Sequence, residues 1–563
     1  MVLKASIEEI LKELGAENPK VGLDYPAHIE IGDYSSNVAM VYAKTLDYSP
    51  LALADKIKGK LEERNIFGVT VAKPGFLNFF FDKKYFGDNI KDILNKDGQF
   101  GKNKTLSGQK IIIEYTVCNV LKPMHIGHLM GNVIGESLSR IIEAEGAEVK
   151  RNNYQGDSGL PIAKAVWGII KLGGQRDGSL SEKTEYIGKA YALGSSSYED
   201  DTLAQSEIKE LNKKIFEKGD KNLDSIYDWG KKVSLDHFEE LYKKLGTKFD
   251  YYFFESEVAS DALKIVREFV KKGVFEESDG AVVFKGENYD SKLHTRVFIS
   301  SQGLPMYEAK DIAHAIRKYE KYKFDESIII TANEQDQYFK VVLRALEEVV
   351  PEIAKKTRHI SHGILKFSTG KMSSRKGNVI TGETLISDTE DLVREKIEGR
   401  DFSEAEKNDI ATTVAVGAIK YSILRQAVGG DIIFDFEKSI SFEGDSGPYL
   451  QYSTVRAQSL LKKANGVVTV SENVPDSWQT TNLERFLERF PNVVERAGVE
   501  YAPHYIATYL IELASEFNSF YADHKIIDAG DMTSPYRLAL TRAFYQVMVS
   551  GLDLLGIKVP ERM

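Results

Sequence analysis

The chain has 563 residues and 28% charged residues, which is typical of a globular protein with room for roughly three or four domains. Its net charge of −10 argues against a generic nucleic-acid coat but leaves room for a local RNA-binding surface. The single cysteine, Cys118, excludes an internal disulfide and a zinc site of several thiolates. With no apolar stretch long enough to span a bilayer, we expect a cytoplasmic protein without a membrane partner.

Residues 1 to about 105 have the pattern of a compact α+β module. Apolar residues recur at helical spacing in Ile7–Leu14 and Leu51–Leu61. The run Lys73–Phe81 is typical of a turn that leads into an apolar strand. A polar link, Gly101–Gln109, then separates this module from the rest of the chain.

The next part begins with a short apolar strand without alternation, Ile111–Tyr115, as expected in a buried parallel sheet. A loop with the sequence Asn119-Val120-Leu121-Lys122-Pro123-Met124-His125-Ile126-Gly127-His128 follows. A helical pattern then continues to Glu145, and Glu148–Tyr154 is the next strand. This order predicts an α/β, Rossmann-type parallel sheet that binds its ligand at the carboxyl ends of the strands.

The loop before this helix carries residue types that suit a nucleotide. His125 and His128 lie three apart and therefore share one helix face. The free N–H groups of the helix start suit phosphate, and Gly127 lets a flat base or a phosphate approach the backbone. Taken alone, a pair of histidines would equally describe a capped surface helix.

Residues from about 165 to 285 are polar and helical, and we interpret them as an insertion in the crossover. Thr295–Ile299 and Ser327–Thr331 return to the strand pattern, with a helix predicted over Asp311–Lys321 between them. Residues from Phe442 to the end have the pattern of amphipathic helices.

A second motif, Lys371-Met372-Ser373-Ser374-Arg375-Lys376-Gly377-Asn378, carries the charge that a triphosphate needs. When a carboxylate attacks the α-phosphate of ATP, fixed positive donors and in-line positioning stabilise the transition state. Lys371 and Arg375 supply positive charge. Alone this motif would describe a solvated basic loop, but after the histidine motif it predicts a site that activates a carboxylate with ATP.

With these two motifs the chain resembles the arginyl-tRNA synthetases, a class I family, over essentially its whole length. The resemblance extends to Gly32-Asp33-Tyr34 with Asn37, Lys73-Pro74-Gly75-Phe76-Leu77-Asn78, Asn153-Tyr154 with Gly156-Asp157, Tyr307 with Asp311-Ile312, Glu334-Gln335-Asp336, Ser441-Phe442-Glu443-Gly444, Pro448-Tyr449-Leu450-Gln451-Tyr452 and Pro560-Glu561-Arg562-Met563. Two departures from common patterns stand out. Ser374 stands where many class I enzymes carry a second loop lysine, a gap that arginyl-tRNA synthetases commonly share, with a lysine before the histidine motif as at Lys122. Val117-Cys118 replaces the family's usual Ser-Pro.

The resemblance implies an arginine–tRNA ligase. Such an enzyme forms arginyl-adenylate from ATP and L-arginine, with Mg²⁺ on the phosphates, and transfers arginine to the 2′-hydroxyl of the terminal adenosine of tRNA(Arg). The implied ATP site comprises Lys122, His125, Gly127, His128, Lys371, Met372, Ser373 and Arg375. The implied amino-acid pocket comprises Glu114, Asn119, His128, Tyr307, Asp311 and Gln335, without a metal ligand from the protein. Asp311 suits the guanidinium fork, which binds a carboxylate through two parallel bonds.

The resemblance also implies three domains. Residues 1–105 would form an N-terminal tRNA-contacting α+β module, 106–440 the catalytic domain with its insertion, and 441–563 an all-α anticodon-binding bundle. We expect a monomer. Aromatic residues of the bundle are candidates for stacking on unpaired bases: Tyr449, Tyr452, Phe517, Tyr521 and Tyr545.

Other functions stay open at this point. Another class I synthetase is the nearest rival, although a single cysteine cannot build the zinc pocket of a cysteine-specific enzyme. A small adenylyltransferase would share the histidine motif but would not need the helical C-terminal part. A non-catalytic tRNA-binding relative is the alternative from a different class, and the intact motif residues argue against it.

Overall fold

The computed structural model describes residues 2–26, 28–64, 66, 68–368 and 381–563. The chain forms two compact units that are each assembled from separate segments. The first comprises Met1–Asp97, Leu460–Arg489 and Glu516–Phe544; the second comprises Gly98–Ser459, Phe490–Ser515 and Tyr545–Met563. The candidate site residues that the structure describes all belong to the second unit. The division into three domains stays a prediction.

The N-terminal part of the first unit is an α+β module, as predicted. Its helices and strands are α1 (Val2–Glu13), β1 (Tyr34–Ser36), α2 (Val38–Tyr42), α3 (Pro50–Glu63), β2 (Val69–Ala72), β3 (Phe76–Phe79) and α4 (Lys83–Lys96). The three strands form an antiparallel sheet with β3 in the middle. Helix α3 begins where the Ser49 hydroxyl accepts the Ala52 amide at 3.2 Å, and it buries Leu53, Ile57 and Leu61 at helical spacing.

A five-stranded parallel sheet organises the second unit. The remaining strands of the described chain are β4 (Lys110–Glu114), β5 (Glu148–Gln155), β6 (Tyr251–Phe254), β7 (Glu276–Ser278), β8 (Ala281–Lys285), β9 (Thr295–Ile299), β10 (Glu326–Ala332), β11 (Thr357–His362), β12 (Leu365–Phe367) and β13 (Ile432–Phe434). The large sheet has the order β11–β10–β4–β5–β6, with all neighbours parallel. Ile111, Ile112 and Ile113 of β4 are buried, which confirms the predicted unalternated parallel strand.

Helices fill the connections and the C-terminal part. They are α5 (Ile126–Ala144), α6 (Leu160–Lys171), α7 (Leu180–Asp200), α8 (Thr202–Glu217), α9 (Lys221–Leu245), α10 (Glu255–Lys271), α11 (Tyr307–Lys321), α12 (Asp336–Val349), α13 (Pro351–Ala354), α14 (Gly382–Ile397), α15 (Glu404–Leu424), α16 (Phe436–Ser439), α17 (Gly447–Ala464), α18 (Asn482–Val499), α19 (His504–Asp523) and α20 (Ser534–Leu554). Helix α11 packs against the face of β4 that carries Ile112, and Ile312 lies in the same buried cluster. No helix in the described ranges is long and apolar enough to cross a membrane.

Three expectations need correction. The predicted insertion over residues 165–285 is not helical throughout, because Tyr251–Phe254 within it is an edge strand of the large sheet and β7 and β8 follow helix α10. Thr295–Ile299 is a strand, but it belongs to a small antiparallel sheet with β7 and β8. Phe517 does not offer its ring to RNA, because it is fully buried and stacks on Phe544 at 3.9 Å between ring centroids.

Candidate active site

The histidine motif forms the start of helix α5, directly after strand β4. His125 is the residue before the helix, and its backbone N–H donates to His128 Nδ1 at 3.3 Å. The two imidazole rings stack with their centroids 3.5 Å apart, which confirms that they share one face. A Cβ at Gly127 would lie 3.0 Å from His125 Cε1, so a larger residue there would displace the ring.

Both histidines are neutral at physiological pH. Burial lowers the pKa of His125 to about 4, and the charge of Lys122 acts in the same direction. Burial also holds the pKa of His128 well below its usual value, with a further contribution from His125. The rings therefore act as hydrogen-bonding groups, while Lys122 supplies positive charge at this helix start.

The helical insertion supports this loop. Lys122 Nζ lies 5.4 Å from the ring centroid of Tyr191 in α7, a cation–π contact. The Leu121 amide donates to Ser234 Oγ of α9 at 2.8 Å. Leu121 itself has left-handed backbone, with φ of 57°, so the turn is held in a sparsely populated conformation. The insertion thus fixes the position from which Lys122 projects.

The chain segment that follows the basic motif contacts the histidine motif. Thr381 pairs with His125 in an antiparallel bridge, and the Gly382 amide donates to the Met124 carbonyl at 2.8 Å. Thr381 also caps helix α14. The motif residues Lys371, Met372, Ser373 and Arg375 lie outside the described residues. The chain that follows them is nevertheless anchored beside the histidines.

Asn119 lies between the carboxyl ends of β4 and β5. The Val120 amide donates to the Gly156 carbonyl at 2.9 Å, and the Gly156 amide donates to the Cys118 carbonyl at 3.1 Å. A Cβ at Gly156 would come within 1.8 Å of Asn119 Oδ1, so any larger residue there would displace the Asn119 side chain. Cys118 is buried and burial raises the pKa of its thiol to about 12, which supports a packing role and not a nucleophilic one.

Asp157, next to this glycine, is fully enclosed by donors. Its carboxylate accepts bonds from Tyr227 Oη at 3.0 Å, Lys231 Nζ at 2.7 Å and Ser256 Oγ at 2.6 Å. The Ser256 amide donates to the other oxygen at 2.8 Å. These donors come from α9 and α10, so Asp157 ties the insertion to the sheet.

Glu114, the last residue of β4, is a buried anion. Its Oε2 accepts from Asn152 Nδ2 at 2.6 Å and Lys318 Nζ at 3.0 Å, and it pairs with His314 Nε2 at 2.6 Å. Burial alone would raise the pKa of Glu114, but Lys318 and His314 lower it below its usual value. Neither of the two basic residues was among the predicted site residues.

Asp311 on α11 has a different environment. The pKa of Asp311 is raised to about 8, mainly by burial and also by the acidic neighbours Glu114, Glu255 and Glu308. A 2.6 Å hydrogen bond that Tyr338 Oη donates to Asp311 acts in the opposite direction. Each of these three neighbours has its own cation, in the pairs Glu114–Lys318, Glu255–Lys310 and Glu308–Arg296. Within the part of the chain that the structure describes, Asp311 alone of these four acids has no ion pair. When Asp311 is ionised, the cluster therefore lacks one positive charge.

Tyr307 and Gln335 complete the predicted pocket at the same edge of the sheet. Tyr307 begins α11 and is 39% exposed, and a Cβ at Gly159 would lie 3.4 Å from its hydroxyl. Gln335 is exposed in the turn after β10, the strand beside β4. Both side chains are thus at the carboxyl ends of the strands, where the sequence predicts the ligand.

Sequence reasoning missed the side chains that bind the carboxylates of Glu114 and Asp311. Asp311, His314 and Lys318 have the spacing of one helix face, so this set was detectable from the sequence. Tyr338 has no such signal, because it lies on α12 and meets Asp311 only through the packing of two helices.

Three family models match the chain in succession. They are the arginyl tRNA synthetase N-terminal domain over residues 1–81, the catalytic domain of class I (R) tRNA synthetases over 89–436, and the DALR anticodon binding domain over 450–563. The catalytic model alone spans more than half of the chain.

Curated relatives and solved structures agree with these models. The chain is 31% identical to the arginine–tRNA ligase of Clostridium perfringens, covering 100% of both chains, and 32% identical to that of Clostridium acetobutylicum, covering 96% of each. Its fold is similar to Thermus thermophilus arginyl-tRNA synthetase, with a TM-score of 0.80 at 24% identity over 100% of this chain and 99% of the other. The Plasmodium falciparum arginyl-tRNA synthetase gives 0.76 at 20% identity, over 100% and 98%. The chain belongs to the arginyl-tRNA synthetase family of the class I tRNA synthetases.

Proposed function

We propose that the chain is an arginine–tRNA ligase. It activates L-arginine with ATP to arginyl-adenylate, releases pyrophosphate, and transfers arginine to the 2′-hydroxyl of the terminal adenosine of tRNA(Arg). The observation that carries this proposal is the charge balance around Asp311. Three neighbouring acids have cations and Asp311 has none in the described chain, so a substrate guanidinium completes the set.

The amino-acid pocket then has two ends. Asp311 accepts the guanidinium at one end, with the Tyr307 hydroxyl and Glu114 beside it. Asn119 and Gln335 offer amide oxygens to the α-ammonium group at the other end. This leaves the substrate carboxylate near His128, where the α-phosphate of ATP must lie for attack.

The ATP site uses neutral and charged donors together. His125 and His128 donate hydrogen bonds without adding charge, and Gly127 keeps the helix start open. Lys122 provides a cation on one side of the triphosphate, and Lys371 and Arg375 provide it on the other, with Met372 and Ser373 in the same loop. Mg²⁺ enters on the phosphate oxygens, as is usual for this ion. The described residues contain no cluster of three or more His, Cys, Asp or Glu side chains that would hold it separately.

The tRNA is bound by the parts outside the sheet. In this proposal residues 1–105 contact the tRNA body, 106–440 perform both reactions, and 441–563 bind the anticodon loop. The arrangement of Arg456 over the Tyr452 ring, with 4.8 Å from guanidinium to centroid, supports a base-stacking site on α17. The enzyme acts as a monomer in the cytoplasm.

Amino-acid-dependent exchange between ATP and pyrophosphate tests the proposal. The full-length protein should catalyse exchange with arginine, and citrulline should be inactive because its side chain has the same shape without the charge. The assay is run with and without tRNA, since tRNA is a component of the full reaction. Binding of tRNA without exchange in either condition would establish the non-catalytic alternative.

A further inference from the structure

The carboxylate of Glu114 is held through one of its two oxygens. Asn152, His314 and Lys318 all meet Oε2, at 2.6, 2.6 and 3.0 Å. Oε1 accepts no hydrogen bond from any residue that the structure describes. Three donors on Oε2 fix the orientation of the carboxylate and leave Oε1 without a donor from these residues.

Two aromatic rings enclose His314, one of these donors. It is 3% exposed, and its ring lies flat on Tyr154, with 3.8 Å between centroids and 5° between planes. Phe253 meets the same ring edge-on at 5.1 Å. Lys318 already supplies the charge that neutralises Glu114. His314 therefore fixes the orientation of the Glu114 carboxylate, because a ring enclosed on two sides cannot move with a rotating carboxylate.

One face of helix α11 carries Asp311 together with two of the residues that bind Glu114. Asp311, His314 and Lys318 follow each other at helical spacing on α11. Glu114 lies opposite on β4, where it is paired in register with Asn152 of β5. Helix α11 thus carries Asp311, which has no ion pair with the described residues, and His314, which orients Glu114.

We propose that His314 is a positioning residue for arginine recognition. By holding Oε2 it directs Oε1 of Glu114 toward the guanidinium that Asp311 binds, so that two carboxylates share the five N–H donors of one substrate group. This inference rests on the proposed function and deepens it. A lysine ammonium is a compact point charge and lacks the planar fork that binds a carboxylate through two parallel bonds.

Two variants of the full-length protein separate the donor from the ring. His314→Phe keeps an aromatic ring against Tyr154 and removes the donor. His314→Gln loses the ring but places an amide N–H close to the position of Nε2. Calorimetric titration gives the dissociation constants of arginine and ATP, and thermal unfolding shows that each variant is folded. We expect His314→Phe to weaken arginine about 10- to 100-fold and leave ATP unchanged, and His314→Gln to stay close to wild type.

His504 offers a matched control, since it is a partly buried histidine in contact with the Tyr505 ring at 4.3 Å between centroids, and His504→Phe should change neither constant. If His314→Phe does not fold, His314→Leu removes the donor with a smaller apolar side chain. Unchanged arginine affinity in the donor-free variant would overturn the inference. Equal losses in the donor-free and glutamine variants, or equal losses for arginine and ATP, would also overturn it. Failure of the proposed function is distinguishable, because wild type itself would then not bind arginine.

Discussion

Arginine binding should release a proton from Asp311. Without substrate the pKa of Asp311 is about 8, because burial and the acidic neighbours Glu114, Glu255 and Glu308 disfavour its charge more than Tyr338 supports it. At pH 7 the group is therefore mostly protonated. A guanidinium binds the ionised carboxylate, so binding must draw the pKa down and expel the proton.

The size of the effect follows from the position of this pKa. Below pH 8 each pH unit costs a factor of ten in arginine affinity, about 1.4 kcal/mol. Affinity should therefore fall about 50-fold between pH 8 and pH 6, and level off above about pH 9. The same shift makes the empty protein less stable as pH rises from 3.8 toward 8, because the native state binds more protons than the unfolded chain in this range.

Isothermal titration at pH 7 in two buffers with different ionisation enthalpies measures the released protons directly. We expect about 0.9 proton per arginine for wild type. Asp311→Asn should release almost none and bind arginine about 2–4 kcal/mol more weakly, with ATP binding unchanged. A pH-independent affinity with no proton release would refute this reasoning. Equal losses for arginine and ATP in the variant would instead make Asp311 a structural residue.

Three further predictions follow from other parts of the second unit. Lys122→Ala should lower the rate of arginine activation about 10²–10³-fold, with a smaller change in arginine KM. Adding Ser374→Lys to this variant should recover part of the lost rate. Near-normal turnover in Lys122→Ala would contradict the role of Lys122 as a cation beside the triphosphate. Cys118 should resist thiol reagents at pH 8 in the native protein and react in urea, because burial raises the pKa of its thiol to about 12; rapid native labelling would show that it is accessible. A chain ending at Ser441 should fail to unfold cooperatively in a thermal scan, because Lys420, 1% exposed, loses the Gly556 carbonyl that it contacts at 2.6 Å.

Local patterns were enough to predict the buried strand and the helix start that carries the two histidines. The unalternated strand at Ile111–Tyr115 implied burial on both faces, and the spacing of His125 and His128 implied a shared helix face. Both follow from the geometry of a single element. The stacked rings and the buried strand therefore match the prediction without any knowledge of tertiary contacts.

Contacts between elements were beyond the same reasoning. Tyr191 reaches Lys122 from the insertion, and Tyr338 reaches Asp311 from a neighbouring helix. Phe517 shows the converse error, since an aromatic residue on an amphipathic helix has the same local pattern whether it faces solvent or core. The edge strand Tyr251–Phe254 was missed because four residues within a long polar helical stretch carry little periodicity.

In the proposed pocket, selectivity for arginine would arise because the Asp311 carboxylate has no cation of its own among the described residues. An ionised carboxylate buried without a partner would be costly, and the raised pKa of Asp311 lets the empty protein avoid that cost by keeping the proton. A neutral analogue such as citrulline leaves this protonated state in place and gains no ion pair. Arginine exchanges the proton for a delocalised cation whose fork matches the carboxylate. At pH 7 the ionised state of Asp311 therefore predominates only with arginine bound, and discrimination against neutral side chains should increase as pH rises toward 8.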